Sequence, residues 1–255
     1  MLDRPSSAAE KAQALRQRLG LGTGYVDVFD VLRRLEIEVY RRPVPHDALE
    51  GSLIIRDGVA FIFVNSAGAT TRQRLTAAHE LGHYELGERH DGTEVLEGVG
   101  SVNDDREEWE AFRFARHFLM DEQGVRQLVA NLTEEEERVA AVAHRFVVSP
   151  TVAAIHLAEL KVIKRATQTR LKDGFDRGSL RPSAFLSRYG FYMDDMSNPV
   201  TTLDAGHIQR SVQAYKDGIL SLVALAEVLV LSPDEACELL VEAGIPIDDP
   251  ITTAG

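Results

Sequence analysis

The sequence predicts an α+β protein in which a small sheet and one buried helix precede a long run of helices. Three observations support this fold class. Strand-like patterns are confined to residues 36–64, and apolar residues recur at helical spacing through most of the remaining chain. The dipeptide Asp57-Gly58 separates two of the strand patterns and is typical of a tight hairpin. We therefore expect a small antiparallel sheet followed by all-α, helix-turn-helix-like domains.

The N-terminal segment predicts two helices before the sheet. Ser6 or Ser7 can cap a helix that runs to about Leu19. The glycines of residues 20–24 have the spacing of a phosphate loop, but no strand precedes them, so they predict a helix end and a turn. A second helix and three strands are then expected at residues 26–35, 36–42, 52–56 and 59–64.

The remaining two thirds of the chain are predicted to be helical. A Thr133–Glu136 capping box and a Ser149-Pro150 cap mark a helix, a tight turn and a helix within residues 139–163. Residues 174–199 are rich in Gly, Pro, Asp and Ser, which is typical of a linker. The other helices are expected at residues 71–86, 106–120, 121–132, 205–216 and 220–243, which gives domains at residues 1–132, 133–172 and 173–255.

A weak internal repeat occurs at an offset of 83 residues. Ser149-Pro150 matches Ser232-Pro233, and apolar residues before and after each dipeptide also match. Two copies of a helical pair would give this pattern, and so would two unrelated helical hairpins that share a Ser-Pro cap. The sequence leaves both interpretations open.

Composition excludes some classes of protein. The net charge of −12 argues against a dedicated nucleic-acid coat protein, because phosphate binding requires a basic surface. Cys237 is the single cysteine, so no disulfide can form within the chain. The charged N-terminus does not resemble a signal peptide, and no apolar run approaches the roughly 20 residues of a membrane span. We expect a cytoplasmic protein that does not enter a membrane.

The run His79-Glu80-Leu81-Gly82-His83 has the pattern H-E-x-x-H within a predicted helix. Residues four apart share a helix face, so both imidazoles can reach one metal ion. Glu80 points elsewhere on the helix and can act as a base on water at that ion. The alternative is a surface helix with solvated histidines, but the apolar and small neighbours of the motif predict a buried helix.

Spacing does not identify a third metal ligand. Carboxylates or imidazoles on a helix would be better positioned than those in the polar segment of residues 88–105. Helical periodicity does not separate Glu107 from Glu110, because both border the same apolar arc. The candidates are His90, Glu94, Glu97, Asp104, Asp105, Glu107, Glu108 and Glu110.

Residues 72–83 and 110–120 resemble the ImmA/IrrE family of bacterial metallopeptidases. This resemblance implies a minimal zincin-like metallopeptidase core in which Glu110 is the third ligand of Zn²⁺, or of another divalent ion such as Mn²⁺. Phe112 replaces the usual Asn of the family motif, Leu75 replaces a common Phe, and Asp121 stands where Pro often follows. These departures leave the ligand set of His79, His83 and Glu110 intact.

The resemblance also implies a function. A zinc-dependent endopeptidase with Glu80 as base would cleave a specific Xre-type helix-turn-helix repressor, and so switch on stress-response, mobile-element or defence genes. The group that stabilises the oxyanion is left open among Tyr84, His90, Arg113 and His117. The alternative is a non-proteolytic DNA-binding or scaffold regulator that uses the metal site as a sensor.

Autonomous DNA binding is predicted to be weak. The helix expected at residues 150–160 contains no Arg or Lys, whereas a helix that reads base edges normally presents Arg, Asn or Gln. A structural or partner-binding role therefore fits this helix better. Its basic neighbours form a single cluster of Lys161, Lys164, Arg165, Arg170, Lys172 and Arg177.

Overall fold

The computed structural model describes residues 7–45, 49–56, 59–87, 105–193, 205–229 and 231–247. Within these residues it contains three strands and twelve helices, so the α+β prediction is confirmed. The strands are β1 (Glu38–Arg42), β2 (Gly51–Arg56) and β3 (Val59–Asn65). The helices are α1 (Ala8–Arg18), α2 (Val28–Arg34), α3 (Thr70–Leu86), α4 (Asp105–Leu119), α5 (Glu122–Val129), α6 (Glu135–Phe146), α7 (Pro150–Glu159), α8 (Arg165–Asp176), α9 (Pro182–Arg188), α10 (Ala205–Lys216), α11 (Leu222–Leu229) and α12 (Pro233–Glu242).

The sheet is mixed, so the expectation of an antiparallel sheet was wrong. The strand order is β1-β3-β2, with β2 antiparallel to β3 and β1 parallel to it. Ile54 pairs with Phe61 in the antiparallel ladder, as the hairpin predicts, although the turn at residues 57–58 lies outside the described residues. β3 is the central strand, so β1 and β2 are the two outer strands of the sheet and lie on opposite sides of it. β1 runs in the same direction as β3 and pairs parallel with it.

The glycine-rich segment after α1 is a turn, as predicted. Leu19 is the C-cap of α1, and Gly20 follows in the left-handed region with φ of 65°. The buried Arg16 donates hydrogen bonds to the carbonyl oxygens of Gly22, Gly24 and Phe118. The side chain of Arg16 therefore links α1 both to this turn and to the end of α4.

Several predicted helix boundaries were wrong. The helix expected at residues 220–243 is two helices, α11 and α12, and Ser232 is the N-cap of the second. The helix predicted from residue 121 begins only at Glu122, because Asp121 is its N-cap and accepts from the Gly124 amide at 2.7 Å. The predicted capping box is absent from α6, whose N-cap is Glu134 and has no side-chain hydrogen bond. The Ser149 cap of α7 was predicted correctly, with Pro150 in the first turn.

Residues 174–193 are not the loose linker that their composition predicts. They contain the end of α8 and all of α9, and Phe185 and Leu186 of α9 are buried. Phe185 also packs edge-on against Phe175 and Tyr189. The aromatic residues recur at helical spacing and bury one face of α9, which outweighs the local content of Gly and Pro.

One hydrophobic cluster extends through the described residues from Ala8 to Leu186. It includes apolar side chains on both sides of residue 132, where the first domain was predicted to end. A second cluster comprises residues of α10, α11 and α12, which we call the C-terminal module (residues 205–247). The predicted helix-turn-helix domains and their boundaries stay predictions.

The C-terminal module contacts the strand β1. Arg210 forms an ion pair with Glu38, and the Tyr40 hydroxyl donates to the carbonyl of Val228. The ring of Tyr40 also packs edge-on against His207, with centroids 5.1 Å apart. Glu38 and Tyr40 lie two residues apart, so the side chains that make these contacts to the module share one face of β1.

The helices α6 and α7 form a bent pair. Three residues separate them, and their axes bend by 114°. In the part of the chain that the structure describes, no single helix is both long and apolar enough to span a membrane, and only this bent pair reaches the required length and hydropathy together. Both helices contribute many buried side chains to the hydrophobic cluster.

Candidate metal centre

The H-E-x-x-H motif lies in the helix α3, and most residues around it are buried. Ala77, Ala78 and Leu81 are fully buried, which agrees with the apolar surroundings expected for the motif. His83 is buried, and His79 is partly exposed, with 20% of its side-chain surface accessible. The motif therefore lies where the core meets an accessible surface, as a site that acts on a substrate requires.

Three ligand atoms converge at this surface. The Nε2 atoms of His79 and His83 are 3.0 Å apart, and their rings meet nearly at right angles. Glu108, in the first turns of α4, places Oε2 3.1 Å from His79 Nε2 and Oε1 3.5 Å from His83 Nε2. Within the described residues, His79, His83 and Glu108 form one of two groups whose ligand atoms are close enough to bind a single metal ion.

The spacing of these atoms fits a divalent ion. Three ligands bound tetrahedrally at roughly 2.0–2.2 Å would lie about 3.3–3.6 Å from one another. The two close Nε2 atoms can share one N–H···N hydrogen bond, and when both are unprotonated they can instead bind one cation together. Two imidazoles and a carboxylate form a donor set that zinc accepts in catalytic sites. The residues present therefore fit a bound metal.

The structure brings Glu108, and not Glu110, to the two histidines. Residues two apart on a helix point about 200° apart around its axis, so both cannot face α3. The side chain of Glu110 is partly buried, and its Oε2 has no hydrogen-bond partner among the described residues. The assignment of Glu110 from the family motif stays a prediction.

A glycine allows α4 to approach the motif closely. A Cβ atom at Gly82 would lie 2.9 Å from the carbonyl oxygen of Ala111, a distance that real Cβ contacts do not reach. Ala111 is one turn after Glu108 on α4. The contact between Gly82 and Ala111 therefore helps to set where Glu108 lies along the axis of α3, next to the two histidines.

Glu80 occupies a buried position beside the ligand group. Burial raises its pKa to about 7; the neighbouring Glu108 also raises it, whereas His79 and a backbone hydrogen bond from Leu53 lower it. Leu53 belongs to β2, so the sheet orients the carboxylate. A Cβ atom at Gly51 would lie 3.0 Å from Glu80 Oε1, so a glycine in β2 leaves room for this side chain.

Two of the residues considered for oxyanion stabilisation belong to a different cluster. Arg113 and His117 of α4 both bind Glu159 of α7, at 2.6 and 3.2 Å. Arg116 binds the same carboxylate at 2.8 Å. Tyr84 is exposed, and His90 lies outside the described residues.

The cluster at Glu159 joins α4 to α7. Burial acts to raise the pKa of Glu159, but the hydrogen bond from His117, the charge of Arg116 and the hydrogen bond from Arg113 outweigh it and hold the pKa well below its usual range. His156 is fully buried and donates through Nε2 to the Met120 carbonyl at 2.8 Å. His117, His156 and Glu159 could by distance hold a metal ion, but two guanidinium groups already neutralise the carboxylate and disfavour a cation.

The sequence did not predict this second cluster. Its only signal is the pair His156 and Glu159, which are one helical turn apart on an otherwise apolar helix. Burial, together with the positive charges of His117 and Arg116, lowers the pKa of His156 to about 3. His156 is therefore neutral at ordinary pH and acts as a structural donor.

Comparison with known proteins gives one finding. Residues 32–158 match the peptidase family described as the IrrE N-terminal-like domain. The match begins in α2, includes the sheet, the motif and α4, and ends within α7. No curated protein matches the chain.

Proposed function

The chain belongs to the family of IrrE N-terminal-like peptidase domains, and we propose that it is a metal-dependent endopeptidase with His79, His83 and Glu108 as metal ligands. The observation that carries this proposal is the convergence of three ligand atoms within 3.0–3.5 Å of one another. The metal we propose is Zn²⁺, because the donor set is two imidazoles and one carboxylate. Mn²⁺ is the alternative.

The chemistry follows from the position of Glu80. A divalent ion held by the three ligands would lower the pKa of a water molecule and polarise the peptide carbonyl. The carboxylate of Glu80 accepts the proton of the attacking water and returns it to the leaving amine. The Leu53 amide fixes the orientation of that carboxylate, and Gly51 leaves the space that it occupies.

The substrate that we propose is a helix-turn-helix transcriptional repressor of the Xre type, whose cleavage would release stress-response, mobile-element or defence genes. The resemblance of residues 72–83 and 110–120 to the ImmA/IrrE metallopeptidases supports this choice. A narrow substrate range is physically reasonable, because an unrestricted peptidase would damage other proteins in the same compartment.

The decisive experiment replaces Glu80 by Gln, which keeps a similar shape but removes the base. The substrates are purified helix-turn-helix repressors from the source genome, and mass spectrometry measures their cleavage. We expect the cleavage rate to fall by roughly 10²–10⁴-fold in the variant. Metal content should be unchanged, because Glu80 is not among the three ligand residues.

The matched control is Glu107→Gln, an exposed carboxylate in α4 that should leave cleavage unchanged. Full cleavage by the Glu80→Gln variant would contradict the proposed role of this residue. A wild-type chain that binds a repressor and controls its genes without cutting it would support the non-proteolytic regulator instead.

A further inference from the structure

The helix α4 carries two aromatic residues directly beside Glu108, the third proposed metal ligand. Trp109 follows Glu108 in the chain, and Phe112 lies one turn after it. At 100° per residue, Phe112 is about 40° and Trp109 about 100° around the helix from Glu108, both in the same direction. Ala111, which packs against Gly82 of α3, is about 60° away in the opposite direction. The two aromatic residues, which we call the aromatic pair, therefore lie on the side of Glu108 away from that helix contact.

The aromatic pair leaves apolar surface open next to the metal centre. Trp109 is the single tryptophan of the chain and is 51% exposed, and Phe112 is only partly buried. Tryptophan is highly buried on average, so a half-exposed indole ring is an unusual feature. The side chain of Glu108 is accessible to a similar extent, so the metal ligand and the indole ring are open to solvent side by side.

Two arginine side chains hold the rings of the aromatic pair. The guanidinium carbon of Arg113 is 5.3 Å from the centroid of the Trp109 ring. That of Arg116 is 5.1 Å from the centroid of the Phe112 ring. Both distances lie within the roughly 6 Å of a cation–π contact. Each ring is therefore held against a cation and is less free to change its rotamer than an isolated aromatic side chain on a helix surface.

Glu159 of α7 anchors both arginines. Its carboxylate accepts from Arg113 at 2.6 Å and binds Arg116 at 2.8 Å. Arg116 is buried, so this arrangement does not depend on surface side chains alone. The carboxylate also offsets the positive charge beside the two rings. The cluster at Glu159 therefore fixes the aromatic pair in place and leaves a surface that suits an apolar group better than an acidic one.

We propose that the aromatic pair is a specificity subsite that binds a bulky apolar side chain of the substrate residue next to the scissile bond. The inference rests on the proposed function, in which the scissile carbonyl lies at the metal centre beside Glu108. Neighbouring residues of a peptide are only 3.8 Å apart at Cα, so a side chain next to that carbonyl can reach Trp109 and Phe112. Aromatic rings supply large apolar contact area with few rotatable bonds.

The test uses hydroxamates, which bind zinc through two oxygen atoms and so place an attached side chain next to the ion. One series consists of N-acetyl amino acid hydroxamates, with the side chain on the N-terminal side of the scissile position. The other consists of succinyl hydroxamates, with the side chain on the C-terminal side. Each series carries hydrogen or a leucine, phenylalanine or aspartate side chain. Isothermal titration calorimetry measures their affinities for the zinc-loaded full chain.

We expect the leucine and phenylalanine probes of one series to bind about tenfold or more tightly than the probe without a side chain. Trp109→Ala should remove this preference and leave the affinity of the unsubstituted probe nearly unchanged, because the three ligands are retained. Trp109→Phe should keep part of the preference. Because Trp109 is the single tryptophan, the emission of the wild type should move to shorter wavelength with the apolar probes and not with the unsubstituted one.

The matched control is Tyr192→Ala, which removes an aromatic side chain that is 76% exposed and follows α9. It should keep the full preference. Glu159→Gln tests the positioning role of Glu159, which acts through Arg113 and Arg116. We expect it to weaken the preference for apolar probes without changing the affinity of the unsubstituted probe. If Glu159 only stabilised the fold, this variant would lower the unfolding temperature and keep the preference.

The outcomes separate the subsite from the proposed function. Equal affinity for all side chains in both series, a preference for the aspartate probe, or an apolar preference that Trp109→Ala retains would overturn the subsite and leave the metal centre standing. Failure of every hydroxamate to bind the zinc-loaded chain, the unsubstituted one included, would contradict the metal centre and the subsite together. An apolar preference that depends on Trp109, in a chain that cuts no repressor, would support the subsite and contradict only the proposed cleavage.

Discussion

At the scale of single residues, the metal centre depends on which carboxylate of α4 faces α3. Glu108 lies against both histidines. Helix geometry directs Glu110, two residues later, to another side of the same helix. Because the two residues point about 200° apart around α4, exchanging their roles would require a large rotation of this helix, and a direct comparison of variants tests the assignment.

We predict that Glu108→Ala weakens zinc binding severely, because it removes a charged ligand from a three-residue set. Glu110→Ala should retain nearly full metal content. The measurement is zinc stoichiometry and affinity by titration against a chelating dye. The reverse result would restore Glu110 as the third ligand and would mean that α4 is rotated in the metal-bound protein.

A second residue-scale prediction concerns His156. Its pKa is lowered to about 3 in the folded protein, below the ordinary 6.5 that applies when the chain unfolds. Above pH 6.5 the imidazole is neutral in both states; as the pH falls below 6.5, only the unfolded chain takes up the proton. The folded protein should therefore lose about 1.4 kcal/mol of stability per pH unit from this group as the pH falls towards 3.

The measurement is urea unfolding at several pH values for the wild type and for His156→Gln. The variant can still donate to the Met120 carbonyl but does not titrate. We expect its stability to depend less on pH below 6.5 than that of the wild type. Parallel pH profiles for the two proteins would exclude this role for His156.

At the scale of secondary-structure elements, the close contact between α3 and α4 sets the ligand geometry. In Gly82→Ala the added methyl group would meet the backbone of Ala111 at 2.9 Å, so α4 has to move away. We predict lower metal affinity and lower cleavage, although alanine favours the helix by about 1 kcal/mol. Metal titration checks the result.

The control is Gly174→Ala in α8, where the nearest atom to the new methyl is a leucine side-chain carbon at 3.3 Å. This variant should bind metal normally. Equal metal affinity in the Gly82→Ala protein and the wild type would show that the backbone contact does not position Glu108.

Local patterns predicted the elements better than their arrangement. The hairpin, the motif helix and the Ser149 cap follow from short-range chemistry, and each was correct. The parallel pairing of β1 could not be predicted, because no local pattern specifies on which side of β3 the first strand lies. The helix α9 was missed because its buried aromatic face becomes evident only when the rest of the core is present.

The candidate site was predictable in part. The H-E-x-x-H pattern fixes His79, Glu80 and His83 relative to one another, because all three belong to one helix. The third ligand comes from another helix, so its identity depends on the rotation of α4 against α3. The cluster around Glu159 depends in the same way on tertiary packing, and the sequence alone does not predict it.

At the scale of the whole molecule, the hydrophobic cluster crosses the predicted boundary at residue 132. Residues 1–132 alone would expose apolar side chains that α6, α7 and α9 cover in the full chain. We therefore predict that residues 1–132 do not fold cooperatively, whereas residues 1–193 do, because the second cluster belongs to the C-terminal module. Thermal unfolding followed by circular dichroism measures this.

The control is the full chain under the same conditions. A sharp unfolding transition for residues 1–132, with zinc bound at one ion per chain, would establish that the predicted first domain is independent. A broad or absent transition would place the helices after residue 132 within the same folding unit.

The contact between the C-terminal module and β1 has a consequence for how the protein avoids self-association. β1 is an outer strand of the sheet, and an outer strand offers unpaired backbone groups to other chains. Arg210, His207 and Val228 lie against Glu38 and Tyr40 of this strand. A chain shortened to residues 1–193 would keep its hydrophobic core but expose that strand. The shortened protein would therefore fold correctly and still be prone to aggregate through β1.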